Sequence, residues 1–258
     1  MIRADLTNEQ YHASDAISSS DVKAVITSSI FHWKNKKFKE TASMALGSAV
    51  HDMVLEGGKS VICGPETRRG NAWKDAEDEA KALGKLLLPE GEYMAALEIA
   101  DAVRADPTCR SFLDSKDTKI EHSLFAVCPE TDLKLRCRPD IYSPEKAAMA
   151  DLKTTVDASP SGFNRQIYNY RYDVQAAFYI YVSELCGWEV RNFGFMAVEN
   201  GAPYAAHMHV MSSEALELAQ IDMMRGLRQI AEAETHNKFE TGWGSITMVY
   251  PPSWLKSE

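Results

Sequence analysis

The sequence predicts an α/β fold: a mixed central sheet flanked by helices, with a helical elaboration on its N-terminal side. Three observations predict it. Helix caps and breakers alternate along residues 18–106. Three short apolar runs separated by turns fill residues 118–155. Helical patterns then return over residues 161–234, interrupted by one further strand pair. The 258 residues suffice for one large domain with a substantial core. A single domain over 1–258 is expected, with 1–110 mainly helical, 118–210 holding the sheet, and 211–258 forming a last helix and a tail.

Ser18, Ser19, Ser20 and Asp21 are cap-type residues ahead of VKAVITSS, so a helix starts there. SMALGSAVHDMVLE places Met44, Leu46, Val50, Val54 and Leu55 as a buried helix would, and Gly57-Gly58 ends it. PETRRGNA, residues 65–72, reads as a loop. Two helices are expected over 73–86 and 91–105, with Pro89 between them and Asp106-Pro107 closing the second. KIEHSLFAVCP then reads as one strand, followed by a turn at Pro129–Asp132. LKLRCRPDIYSP alternates Leu133, Leu135 and Cys137 with Lys134, Arg136 and Arg138, a period of two. After Pro144-Glu145, AAMADLKTT is a short apolar strand ending in charge. Together these three runs suggest an antiparallel meander. One long Tyr-rich helical pattern covers 161–186. Strands at 190–198 and 204–210 flank a turn at Glu199-Asn200-Gly201. A last amphipathic helix over 212–234 is capped by Ser212 and Ser213, and the aromatic tail WGSITMVYPPSW is expected to pack on the body.

Composition excludes several classes. Hydrophobic residues make up 45% and charged residues 25%, so disorder and fibrous structure are ruled out for the whole chain. No run approaches the roughly 18 apolar residues that span a bilayer, and MIRADLTNEQYHASD lacks the apolar core of a secretory signal. Cys63, Cys109, Cys128, Cys137 and Cys186 are odd in number, widely spaced and without a CxxC pair. They fit a reduced cytoplasmic chain with buried thiols rather than an iron–sulfur or zinc cluster.

The net charge of −9 seems to oppose a nucleic-acid partner, but it is unevenly spread. Residues 75–106 hold nine acids against Lys81, Lys85 and Arg104, and so carry −6 of it. Basic clusters lie elsewhere: Lys34, Lys36, Lys37 and Lys39; Arg68 and Arg69; Lys134, Arg136 and Arg138; Arg225 and Arg228. Each alone reads as a solvated face. Binding of a polyanion depends on the local field rather than the sum, which leaves room for an acidic exterior and a basic interior.

The chemistry concentrates in residues 138–153. RPD ends in Asp140, and eleven residues later ADLKT supplies Asp151 and Lys153. Carboxylates on neighbouring antiparallel strands converge across a hairpin, and Asp151 and Lys153 point to one face. Hard divalent cations take oxygen ligands, and a lysine beside such an ion orients water or stabilises phosphate charge. D-x(10)-D-x-K is therefore a coherent arrangement for phosphodiester hydrolysis, although Asp and Lys are common turn residues. Two motifs flank it. In GSAVHDMVLE, Gly47 and His51 stand at i, i+4, so the glycine leaves open space beside His51. Glu56 lies about 140° around the helix from it. In YDVQAAFY, Gln175 and Tyr179 share a face. Taken singly, His51 also reads as a satisfied core residue, and Gln175 and Tyr179 as helix surface and core.

In this order, GSAVHDMVLE, RPD…DLKT and QAAFY resemble the PD-(D/E)xK nuclease superfamily in its RecB-like branch. With YHASDAISSSDVKAV, CRPDIY and YNYRYDVQAAFY, they more closely resemble the RecE-type exonucleases of phages and prophages, over residues 7–255. The resemblance implies a restriction-endonuclease-like core. It implies a Mg²⁺-dependent 5′→3′ exonuclease on linear double-stranded DNA, with Mn²⁺ as a substitute, leaving 3′ single-stranded tails. It further implies an annealing-protein partner of RecT/Bet type, a ring-shaped homo-oligomer (trimer or tetramer), and a phage- or prophage-encoded protein in a bacterial cytoplasm. Carried over by position, His51, Asp140, Asp151 and the Leu152 carbonyl would be metal ligands, and Lys153 the catalytic lysine. Glu56 would sit outside the ligands or bind a second ion, and Gln175 and Tyr179 would brace the site or touch DNA. Asp151 stands where the superfamily name allows Glu, as in other RecB-like members. The 5′-phosphate contact is not placed; Arg68, Arg69, Arg165, Arg171, Lys34 and Lys37, with their neighbour Lys39, are the candidates.

Three other functions remain open. One is a RecB-like single-strand or structure-specific nuclease, Cas4-like without the cluster. Another is a non-catalytic DNA-binding module on the same fold. The third is a zinc hydrolase built on His51, His122, His207 and His209.

Overall fold

The structure is a computed structural model that describes residues 1–37 and 41–252. The N-terminal part runs β1 (Ile2–Arg3), α1 (Asn8–His12), α2 (Ser19–Thr27), α3 (Ile30–Lys34), α4 (Ala42–Leu55), β2 (Val61–Gly64), α5 (Gly70–Ala82), β3 (Leu86–Pro89), α6 (Glu90–Ala105) and α7 (Pro107–Leu113). Next come β4 (Lys119–Ile120), β5 (Ser123–Val127), β6 (Lys134–Cys137), β7 (Ile141–Ser143) and β8 (Ala148–Thr155). The chain ends with α8 (Pro160–Asn169), α9 (Tyr172–Leu185), β9 (Asn192–Glu199), β10 (Ala206–Val210) and α10 (Ser213–His236).

The central sheet is mixed, in the order β10-β9-β8-β7-β4. Only β8 and β9 are parallel, and α8 and α9 supply the crossover that parallel neighbours require. Side-chain alternation divides its two faces. Ala150, Leu152, Met196 and Val198 pack against α4 and α6. Met149, Phe193, Phe195 and Ala197 pack against α8 and α9. A separate antiparallel sheet, β1-β5-β6, lies against α2, α9 and α10 through Leu124, Leu135, Cys137, Val22, Phe178 and Met223. Phe163, Phe178, Phe193 and Phe195 are fully buried, each contributing about 2–3 kcal/mol by removal from water. The expected mixed sheet between helices is what the chain forms.

Several expected elements divide where the backbone must turn. KIEHSLFAVCP is two strands, because Glu121 takes a left-handed conformation at φ 55° and sends β5 into the other sheet. LKLRCRPDIYSP likewise splits at Pro139, so the expected meander is two hairpins, β5-β6 and β7-β8, in different sheets. The helical pattern of 161–186 breaks at Arg171, φ 52°. The expected helix at 73–86 ends at Ala82, and Leu86–Pro89 is a strand paired in parallel with VICG. Pro107 opens α7 at its first turn, where the missing N–H costs nothing. The tail does not pack on the body as expected: Ile246 and Val249 are 88% and 94% exposed. Trp254, at its end, lies outside the described residues.

One cap near the start matters for the site. Ser18 and Asp21 form a capping box that fixes the entry of α2. At the far end of the fold, Gly226 lets α10 meet α2, since a Cβ there would stand 2.8 Å from Val22 Cγ1.

Candidate metal centre and groove

The register of β7 and β8 builds the site. Ile141 pairs with Ala150, so Asp140 and Asp151 stand opposite each other where β7 begins. The Leu152 N–H, freed from the β7 ladder, donates to Asp140 Oδ2 at 2.7 Å. The N–H and C=O of one strand residue point to the same edge, so the Leu152 carbonyl also faces the site. Asp151 and Lys153 point to the α9 side, and the Lys153 ammonium lies against Asp151 Oδ2. The other oxygen, Asp151 Oδ1, accepts from Gln175 Nε2 at 2.6 Å. Gln175 and Tyr179 stand one turn apart on α9 and line the groove together.

From the opposite face of the sheet, α4 brings in His51. At Gly47 the helix passes close over β8, where a Cβ would make an ordinary contact with Thr154 Oγ1 at 3.4 Å. His51 Nε2 lies 3.1 Å from Asp140 Oδ1 and 3.3 Å from Glu121 Oε1. Glu121 was not among the residues singled out by motif. Its left-handed backbone turns the carboxylate inward, and the Arg138 guanidinium stands 3.8 Å behind it. Arg138 is itself anchored to Ser123 Oγ at 2.7 Å and to the Leu6 carbonyl at 3.1 Å. Its ring contact with Tyr11 completes that anchor. Arg136 donates to the carbonyls of Tyr11, His12 and Ser14. Both arginines thus tie α1 to the sheet, rather than forming the solvated face expected.

The electrostatics follow from burial among like charges. Burial and the neighbouring Asp140 push the Asp151 carboxyl up to about 6, against the pull of Lys153. Burial and Asp140 also raise Glu121, to about 7, although His51 opposes them. Burial disfavours charge on His51, yet Asp140, with Glu121 beyond it, holds its pKa up to about 9. Asp140 stays low despite its burial, because His51, Lys153 and the Leu152 N–H favour its charged form. The cluster's carboxylates face the His51 imidazole, the Lys153 ammonium and the Arg138 guanidinium.

These residues fit a hard divalent cation. The ligand atoms of His51, Glu121 and Asp140 all lie within 4.8 Å of one another. Buried Asp151 Oδ2 has no directed hydrogen bond, only the Lys153 ammonium beside it. One nitrogen with several carboxylate oxygens suits Mg²⁺ or Mn²⁺. The groove holding them encloses about 1050 Å³ and is walled by α1, α4, β8 and α9. Glu56, at the C-cap of α4, lines it but is exposed and outside the three-residue cluster. His122 and His207 join no metal-ligand cluster among the described residues, and His209 Nε2 meets the Ala158 carbonyl.

The basic candidates lie elsewhere. Arg68 pairs with Glu92 at 2.7 Å. Arg171 is held by Asp173 at 3.1 Å and Asp222 at 2.5 Å, joining α9 to α10. Arg69 and Arg165 are exposed, at the N-cap of α5 and on α8. Lys34 lies over the Phe239 ring at 4.5 Å, and Lys37 is exposed. None of these six is in the groove wall. Lys39 lies outside the described residues.

A solved structure shares the fold. A protein of Eubacterium rectale described as a candidate exonuclease superposes with a TM-score of 0.63 at 15% identity, covering 97% of each chain. A phage-related exonuclease of Haemophilus somnus 129PT gives a TM-score of 0.36 at 11% identity, over 88% of this chain and 99% of that one. No curated protein matches the sequence. No helix among the described residues is long and apolar enough to cross a membrane. A family model matches residues 19–248, nearly the whole chain, so this protein belongs to the PDDEXK-like domain family of unknown function DUF3799, within the PD-(D/E)xK superfamily.

Proposed function

We propose that the protein is a Mg²⁺-dependent nuclease that digests one strand of linear double-stranded DNA in the 5′→3′ direction. The observation that carries this is the meeting of His51, Glu121 and Asp140 with the Asp151–Lys153 pair in one groove. His51, Glu121, Asp140, Asp151 and the Leu152 carbonyl would hold the cation, with Mn²⁺ as an alternative to Mg²⁺. A divalent ion there supplies Lewis acidity toward a phosphate oxygen and lowers the pKa of water. Gln175 fixes Asp151 by donating to Oδ1, which leaves Oδ2 directed at the site. Lys153 orients the attacking water and stabilises negative charge on the phosphate. Arg138 holds Glu121 against His51. The product of each cycle is a 5′-mononucleotide, and the remaining strand is a 3′ tail.

The RecE-type motifs and the name of the Eubacterium rectale relative support an exonuclease rather than an endonuclease. A ring-shaped homo-oligomer, trimer or tetramer, would enclose the duplex and make weak phosphate contacts persist. A RecT/Bet-type annealing protein would take the exposed tail, in the cytoplasm of a bacterial host. The acidic surface of α5 and α6 would face outward. The test is digestion, with Mg²⁺, of duplexes bearing a 5′-phosphate, a 5′-hydroxyl or no free ends. Loss from 5′ ends alone supports the reading, and cleavage of closed circles contradicts it.

A further inference from the structure

Lys23, on α2, is a cation that the site as described does not use. Its Nζ reaches Gln175 Oε1 at 3.5 Å, on the far side of the amide that donates to Asp151. It makes no ion pair among the described residues, whereas Lys153 is neutralised by Asp151. Both ammonium groups approach one aromatic ring: Lys23 stands 5.3 Å from the Tyr172 centroid and Lys153 5.0 Å. A ring quadrupole attracts each cation but does not cancel the repulsion between them. Tyr172 and Gln175 both belong to the groove wall, so Lys23 stands one side chain behind the reacting centre. It is half-buried, and its four-carbon stem is flexible.

We infer that Lys23 is a substrate-binding residue that takes a phosphate flanking the scissile one. This rests on the nuclease reading of the same groove. An ammonium with free donors, set beside a second ammonium and with Asp151 and Asp173 acting on it only from beyond ion-pair distance, is completed by an anion. A phosphodiester strand crossing Asp140 and Asp151 brings one there. Lysine serves as a point-charge phosphate contact. Burial, with Lys153 next, lowers the Lys23 pKa to about 8, and exposed Lys36 adds positive field at the rim. The same ammonium also sets the orientation of Gln175, since only its oxygen end can face Lys23.

The test is steady-state digestion of a linear duplex with Mg²⁺ over a range of salt, using wild type, Lys23→Met, Lys23→Gln and Lys23→Arg, with Asp151→Ala as the inactive control. The neutral variants should raise KM about tenfold or more, as loss of a charged hydrogen bond does. They should also flatten the log–log salt dependence of kcat/KM by about 0.9, the value for one duplex phosphate contact. Lys23→Arg should restore both. Unchanged KM and salt slope in the neutral variants would overturn the contact while leaving the nuclease intact. A fall in kcat alone would also overturn it, making Lys23 a positioning residue for Gln175. Thermal melting of both neutral variants far below wild type would make it a structural cation, with the same consequence. No digestion by wild type would instead remove the nuclease reading itself.

Discussion

Replacing Glu121 with glutamine should stabilise the metal-free protein at alkaline pH and weaken its response to metal. The carboxyl moves from 4.5 to about 7 on folding, driven by burial and Asp140. At about 1.4 kcal/mol per tenfold, ionising it in the native state costs about 3 kcal/mol. The attraction to His51 is already contained in that net value. Because the native carboxyl keeps its proton to higher pH than the unfolded one, stability falls as pH rises from 4.5 to about 7. Glutamine suffers no such loss. For a chain of this size about 1 kcal/mol shifts Tm by about 2–4 °C. In EDTA at pH 8.5, Glu121→Gln should therefore melt about 5–10 °C above wild type. At pH 5 the difference should shrink to under about 1 kcal/mol. Adding Mg²⁺ at about one thousand times Kd should reverse the order, since it stabilises wild type by about 4.1 kcal/mol. Differential scanning fluorimetry across pH, with EDTA or Mg²⁺, measures both effects. A variant that melts below wild type in EDTA at pH 8.5, and responds to Mg²⁺ as wild type does, would refute the reasoning.

Further substitutions separate chemistry from structure. Asp151→Ala and Lys153→Ala should each slow digestion by about 10³-fold or more, with circular dichroism showing an intact fold. Arg171→Ala should cost about 1–3 kcal/mol, since it leaves buried Asp173 without its guanidinium while half-buried Asp222 keeps Arg225; urea titration measures this. DNA binding by that variant should keep its salt slope if Arg171 is purely structural. Gly226→Ala should lower stability by about 1–3 kcal/mol, because the new methyl meets Val22 and Ile26, while activity per folded molecule is unchanged.

What could be read from the sequence was what depends on local order. Asp140, Asp151 and Lys153 follow from a tight hairpin, whose register sets opposite residues against each other. His51 and Gln175 came only through the resemblance of their motifs, since singly they read as core and helix surface. Glu121 was hidden because nothing in KIEHS announces a left-handed residue that ends one strand and starts another sheet. Lys23 was hidden because a single lysine in VKAVIT carries no motif of its own. Arg136 and Arg138 alternate correctly along their strand, but α1 covers that face instead of solvent. The parallel pair β2-β3 leaves no alternation to read, only two short apolar runs.

The central claim is that the His51–Glu121–Asp140–Asp151–Lys153 groove hydrolyses DNA with a divalent cation. The most direct measurement is release of mononucleotides from a linear duplex by wild type and Lys153→Ala, each with Mg²⁺ and with EDTA. Mononucleotides should be released by wild type with Mg²⁺ and in none of the other three reactions. Wild-type rates in Lys153→Ala, or no release by wild type with Mg²⁺, would contradict it.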